Sequence, residues 1–180
     1  MISLDTFLRR ALATTYAAGG PKDATRAYRR SDDYFYEEDG YVYHDRYWGG
    51  TAFLGSEVVW HNDTPIWGMN YYGGPVNPAD HVSAPSGIQT PLITPASPPP
   101  IDIHTAYDFL KHALLAGGTD PNTLPARGPA RFTMLGHPRF AGLTYINSMT
   151  GTLDNFDGTE EITYHGRPIC RHVYHGGAIK

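Results

Sequence analysis

Two spacings alternate along the chain. Leu4, Phe7, Leu8, Ala11 and Leu12 recur at intervals of three and four, which lays them along one stripe of a helix, and Gly19-Gly20 closes that segment. The period then drops to two. Alternating runs predict strands near 33–38, 41–48, 51–60 and 65–72, with Asp39-Gly40 as a two-residue hairpin turn and His61-Asn62-Asp63-Thr64 between the last two. A second helical stripe runs from Ala106 to Leu115. Thr105 is its expected N-cap, Asp108 the capping-box partner and Gly117-Gly118 the stop. Strands follow near 130–135, 142–150, 160–164 and 168–175, the last two joined at His165-Gly166.

A helix followed by four strands thus occurs twice, and residues repeat with it. Phe7 to Leu12 matches Phe109 to Leu114 in residue character. Phe53-x-Gly55-x-Glu57, Pro65-Ile66, Tyr71 and Gly73-Gly74 align without a gap to Phe156-x-Gly158-x-Glu160, Pro168-Ile169, Tyr174 and Gly176-Gly177, eight identities in 22 positions. An internal duplication is the simplest reading. The expected fold is α+β: a single domain over 1–180, with pseudo-repeats 1–74 and 104–180. Their strands form a curved antiparallel sheet or open barrel, with the helices on one face. Between them, 75–103 holds Pro75, Pro78, Pro85, Pro91, Pro95 and Pro98-Pro99-Pro100. Such a stretch cannot form a central strand and reads as a linker or as a flap over a pocket between the halves.

Composition supports a β-rich chain. Of 180 residues, 13% are aromatic and only 18% charged, and flat rings pack well on a pleated surface. The net charge of −4 argues against a nucleic-acid partner. Arg9, Arg10, Lys22, Arg26, Arg29 and Arg30 crowd the first thirty positions, but Asp32 and Asp33 follow at once, so a solvated helix face and loop is expected. The single cysteine, Cys170, excludes an internal disulfide. The first 18 residues do not read as a signal peptide and no run reaches membrane-spanning length, so a cytoplasmic protein is expected.

Alternation over 41–48 places Tyr41, Tyr43, Asp45 and Tyr47 on one face, and Glu57 shares a face with Phe53 and Val59. Polar groups among aromatics are what a ligand pocket needs, and a carboxylate held there acquires a raised pKa suited to proton transfer. The alternative is a solvated sheet face, or buried carboxylates satisfied by tyrosine hydroxyls. Comparing the halves ranks the candidates. Glu57/Glu160 and Tyr71/Tyr174 are shared and so belong first to the fold, whereas Asp45, Asn70 and His175 differ between halves and are freer to serve function. The candidates are Asp45, Glu57 and His175 for proton transfer, and Tyr43, Tyr47, Trp67, Asn70, Tyr71 and Tyr72 for ligand contact. His172 and His175 lie three apart on a strand and face opposite sides, so they do not form a metal pair, and no metal or cofactor is expected. Cys170 is expected to pack as a small hydrophobe.

The run Tyr43-x-Asp45-x-Tyr47-x-Gly49-Gly50-x-x-Phe53-x-Gly55-x-Glu57-x-x-Trp60, with Pro65-x-Trp67-x-Met69-Asn70-Tyr71-Tyr72-Gly73, resembles an uncharacterised bacterial domain-of-unknown-function family. Arg127-Gly128-Pro129 and the ending from Phe156 to Gly177 fit the same pattern. That family occurs alone or behind an Xre-type helix-turn-helix; this sequence has no such motif and a longer Pro-rich insertion. The resemblance implies neither an activity nor catalytic residues. The leading expectation is binding of a small, partly aromatic or apolar molecule in a cleft between the repeats. A cofactor-independent cyclase, isomerase or lyase using the same cleft is the second, and a protein-interaction module the third. A homodimer is compatible with each.

Overall fold

The computed structural model describes residues 2–76, 101–125 and 127–180. Its two helices are α1 (Leu4–Leu12) and α2 (Ile103–Thr119). Its strands are β1 (Asp32–Glu38), β2 (Tyr41–Gly49), β3 (Phe53–His61), β4 (Thr64–Pro75), β5 (Arg131–Phe132), β6 (Leu143–Thr152), β7 (Asn155–Tyr164) and β8 (Arg167–Ala178). All eight join one antiparallel sheet in the order β1-β2-β3-β4-β8-β7-β6-β5. Two meanders therefore meet edge to edge along β4 and β8, where Tyr71 lies opposite Tyr174. This is an α+β fold on an open sheet, as the alternation of periods led one to expect. Among the described residues no helix is long and apolar enough to cross a membrane.

The hairpin turns fall where the sequence placed them. Asp39-Gly40, Asn62-Asp63 and His165-Gly166 all have both residues at positive φ, the twist that a two-residue link between antiparallel strands demands. Strand lengths differ more. The run expected at 130–135 pairs only at Arg131 and Phe132, and the strand expected at 160–164 begins at Asn155. Gly158 within it weakens the sequence signal yet is a structural requirement, because a Cβ there would sit 2.3 Å from the Tyr174 hydroxyl. The same holds at Gly55, whose Cβ would meet the Tyr71 hydroxyl at 2.5 Å. In each last hairpin the hydroxyl end of a tyrosine covers the glycine facing it.

The helix ends need two corrections. Asp102, not Thr105, caps α2, accepting from the His104 amide at 3.2 Å. Gly117-Gly118 does not stop that helix, which runs on to Thr119. Gly117 serves close approach instead: the Arg127 carbonyl lies where its Cβ would be, at 2.1 Å. Arg9 supplies the stop. Its guanidinium donates to the carbonyls of Gly117, Gly118, Asp120 and Thr123 at 2.8–3.2 Å, a cation on the negative end of α2. The expected solvated basic face is thus only partly so, for Arg26 also lies over the Phe35 ring at 3.6 Å. Of the Pro-rich linker or flap expected at 75–103, Pro75 pairs with Cys170 at the end of β4 and Ile103 opens α2; positions 77–100 lie outside the described residues.

Both helices pack on the same face of the sheet, each over its own apolar cluster. Phe7, Leu8 and Ala11 of α1 meet Tyr41, Tyr43, Val59, Trp67 and Met69. Phe109, Leu110 and Leu114 of α2 meet Leu143, Tyr145, Ile162 and Cys170. Burial pushes the Cys170 thiol pKa up to about 12, so it packs as an inert small hydrophobe. Replacing Gly158 by Ala is expected to destabilise the fold by about 1–3 kcal/mol through overpacking. In a Tyr174→Ala background part of that loss should disappear. Urea unfolding of the double-mutant cycle measures the coupling, and strict additivity would acquit the tyrosine ring.

Candidate functional site

Between the two clusters the helix-covered face of the sheet carries charge. Strand alternation turns Tyr43 and Asp45 of β2, Glu57 of β3, Tyr71 of β4, Tyr145 and Asn147 of β6, Glu160 of β7 and His172 and Tyr174 of β8 toward the helices. Into their midst reaches Arg127, from the loop after α2. That loop is fixed by three contacts: the Arg127 carbonyl against Gly117, the Gly128 amide donating to the Tyr145 hydroxyl at 3.2 Å, and Asn147 Nδ2 donating to the Gly128 carbonyl at 2.9 Å.

Arg127 Nη2 bonds Glu57 Oε1 at 2.9 Å, and Nη1 lies 3.5 Å from Glu160 Oε2. Its guanidinium carbon lies 5.6 Å from the Tyr71 ring centre and 5.1 Å from that of Tyr174. Each glutamate also has a tyrosine hydroxyl: Tyr43 for Glu57, and Tyr145 for Glu160 at 2.6 Å. Each flanking tyrosine in turn donates to a side chain on the next strand but one, Tyr71 to Asp45 Oδ1 at 2.6 Å and Tyr174 to Asn147 Oδ1 at 2.7 Å. At matching register, Met69 faces Glu57 and His172 faces Glu160. The two meanders therefore present the same polar chain to Arg127, except at Asp45 against Asn147 and Met69 against His172.

Burial sets the electrostatics. Desolvation, then the nearby Glu57 charge, push the Asp45 carboxyl up to about 8. Desolvation also raises Glu57, in spite of Arg127 and the Tyr43 hydroxyl. Glu160 is buried too, but Arg127, His172 and Tyr145 outweigh the desolvation and hold it below the ordinary glutamate range. Burial works against the charge of Arg127, and the two glutamates more than restore it. Two buried nitrogens in this network have no hydrogen-bond partner among the described residues, Arg127 Nε and His172 Nε2. The other ring nitrogen of His172, Nδ1, lies 3.4 Å from Glu160 Oε2.

Above this floor lies a cavity of about 360 Å³. Asp45, Glu57, Arg127, His172, Tyr43, Tyr71 and Tyr174 form its polar side, and Leu12, Tyr16, Tyr47, Phe53, Tyr107, Leu110 and Leu114 its walls. It opens toward the exposed residues Lys22, Gly49, Gly50 and His104.

Five of the nine expected site residues meet here: Asp45, Glu57, Tyr43, Tyr47 and Tyr71. The other four do not. His175 and Asn70 are exposed cross-strand partners on the opposite face of the sheet, and Tyr72 beside them is 57% exposed. A pocket uniting Asp45, Glu57, Asn70 and His175 therefore does not exist. Trp67 is wholly buried in the apolar core, donating to the Leu153 carbonyl at 3.0 Å and stacked on Phe156. Arg127 and His172 were missed as site residues. Among the described residues no group of three His, Cys, Asp or Glu is placed to hold a metal ion.

A family model described as Domain of unknown function (DUF5680) matches residues 45–179, most of the chain and nearly all of this network. The chain belongs to the DUF5680 family. No curated protein and no solved structure matches it. The match begins at Asp45 itself and takes in Glu57, Tyr71, Arg127, Glu160, His172 and Tyr174. The DUF5680 region thus supplies the charged floor of the cavity, whereas Leu12, Tyr16 and Lys22 lie before it.

Arg127→Met in this DUF5680 domain should cost about 3–5 kcal/mol, since it strands two buried glutamates. Adding Glu57→Gln and Glu160→Gln should recover much of it; failure of the triple variant to recover would mean that Arg127 acts through packing alone. Asp45 gives a pH signature. Its folded pKa lies above the unfolded value, so the folded state holds the extra proton, and the stability this gives is lost as pH rises from about 4 to about 8. Asp45→Asn should remove up to about 1.4 kcal/mol per pH unit of that slope, read from urea midpoints across the range. An unchanged slope would show Asp45 ionised throughout.

Proposed function

We propose that this domain binds a small, partly aromatic or apolar molecule in the cavity between the helices and the sheet. The observation that carries the reading is a pair of buried nitrogens without a partner among the described residues, Arg127 Nε and His172 Nε2, on residues that line a space with apolar and aromatic walls. Buried donors without acceptors are rare in proteins, and a bound molecule with an acceptor group satisfies them.

We further read the two meanders as copies of one unit. The matched chains of hydrogen bonds around Arg127 support this, as do the identities in the last hairpins. On this reading the shared residues maintain the seam, and the departures, Asp45 and His172, are free for function. Both of these line the cavity.

A specific observation favours a second reading, a cofactor-independent acid–base enzyme. A histidine with one nitrogen toward a carboxylate and the other left for a reacting group has the arrangement of an oriented general base; His172 lines the cavity, turns Nδ1 toward Glu160 and leaves Nε2 without a partner among the described residues. His175, the histidine first favoured, plays no part in it.

Saturation-transfer NMR with a library of single-ring fragments tests the binding function. Fragments should bind, and Phe53→Ala should weaken them by about 1–3 kcal/mol, because Phe53 touches Tyr47, Tyr71, Tyr107 and His172. Hits indifferent to Phe53, or none at all, would sink it. Once a bound molecule is known, His172→Asn separates the two readings: retained binding with lost turnover marks the enzyme.

A further inference from the structure

Taking the cavity as a small-molecule site, we propose that its ligand is an organic ammonium ion, seated beside Asp45 among the surrounding aromatic rings. The balance of buried charge points to this. Three carboxylates, Asp45, Glu57 and Glu160, are each at most 6% exposed, and the basic groups among them are the Arg127 guanidinium and the His172 imidazole, the latter 3.4 Å from Glu160 and not beside Asp45. Both terminal nitrogens of that guanidinium are committed to the glutamates. Among the described residues Asp45 receives one side-chain hydrogen bond, from the Tyr71 hydroxyl. At the cavity mouth Lys22 is bound to Asp32 at 2.7 Å and Lys111 lies 3.8 Å from Asp108, so neither serves Asp45.

Net negative charge in a desolvated space is unfavourable, and a ligand of positive charge relieves it. An anion aggravates it, and a neutral molecule leaves it as it was. The walls agree with the sign, because Tyr16, Tyr47, Phe53 and Tyr107 offer ring faces and edges to the same space, and aromatic enclosures hold organic cations through the negative face of the ring. His172, on β8 beyond β3 and β4 from Asp45, lines the same cavity with Nε2 lacking a partner among the described residues, so a hydroxyl at the far end of such a ligand suits it.

Nor does the fold require a carboxylate at this position. In the other meander Tyr174 makes the same bond to the neutral amide of Asn147, at almost the same distance. The carboxylate of Asp45 is therefore surplus to the framework. Asp45→Asn copies an arrangement the protein already contains, which makes it a variant expected to fold.

The test compares three probes of one shape: choline, its neutral carbon isostere neohexyl alcohol, and the anion tert-butylacetate. Binding to the full chain is measured by calorimetry. Choline should bind at least about tenfold more tightly than the alcohol, and the anion should not bind. Choline does not titrate, so its pH dependence reports the protein. Its affinity should rise with pH, by up to about tenfold per unit, until Asp45 is ionised at about 8.

The groups facing Asp45 are Glu57 on β3, Tyr71 on β4, Arg127 from the loop, Tyr34 on β1, Tyr43 and Tyr47 on its own strand, and Tyr16 after α1; the charge of Asp33 on β1 acts from the opposite face of the sheet, where it is paired with His44 and Arg46. Glu57 also titrates upward of its ordinary range, so Asp45→Asn isolates the Asp45 step; this variant should lose both the preference for choline and most of the pH rise. Equal binding of choline and alcohol, tighter binding of the anion, or unchanged choline binding in Asp45→Asn would overturn the cation while leaving a small-molecule site in place. Silence from all three probes would overturn it too, and the dependence of fragment binding on Phe53 would then decide the wider reading separately.

Discussion

The structure depends on a buried arginine that no strand carries. Arg127 reaches from a loop to the seam of the sheet and takes one glutamate from each meander, Glu57 from β3 and Glu160 from β7. Desolvating a guanidinium is expensive, and only near-complete pairing offsets it. Here the pairing comes from two carboxylates, the Met69 sulfur and two ring faces, and Nε is left without a partner among the described residues. An apolar plug of equal volume could be as stable, so the network is better understood by what it prevents. A charged floor at the middle of the sheet cannot be covered by the apolar stripes of α1 and α2. The helices settle chiefly on the apolar clusters to either side, touching where Leu12 of α1 joins the cluster of α2, and the cavity lies over the charged floor.

The same constraint orders the neighbouring residues. Because Arg127 must lie between Tyr71 and Tyr174, those rings are pressed back across Gly55 and Gly158, where no other residue fits. Because its loop must descend to the sheet, α2 presents Gly117 to the Arg127 carbonyl. Arg9 of α1 then binds the carbonyls at the end of α2, so the loop is braced from both helices. Glycines that read in sequence as weak points of strand and helix are thus consequences of one buried ion cluster.

Much of the fold was legible because it is local. Asp39-Gly40 and His165-Gly166 specify their turns within two residues, and period-two alternation fixed the partners of Asp45 on its face. The site was only half legible, for two physical reasons. Along β8, hydrophobic side chains occupy both parities: Ile169 and Val173 point one way, Cys170 and Tyr174 the other. Alternation then states that His172 and His175 are opposed without saying which of them faces in. The same ambiguity along β4 hid that Trp67, Met69 and Tyr71 face inward while Asn70 and Tyr72 do not. Arg127 lies 70 residues from Glu57 in a segment without periodicity, so no local signal could connect them. A trace was present in the repeated glutamates: two copies of a buried carboxylate call for a shared counter-charge, and Arg127-Gly128-Pro129 had already been marked by the family resemblance.

The departures from the repeated pattern remain, and they are linked by charge. Asn147 and Asp45 occupy matching places and accept the same tyrosine hydroxyl bond, yet only one can ionise. With Glu57 close by, an ionised Asp45 adds a second charge to a space that has already spent its arginine. A proton solves this problem, and so would a bound cation. They are competing answers to one excess of negative charge, so occupancy of the cavity and ionisation of Asp45 cannot vary independently. On this argument the tyrosines about Asp45 hold the carboxylate in a place where its charge is stable only in company. That is the physical difference between a residue that completes a framework, as Asn147 does, and one whose charge the framework leaves unanswered.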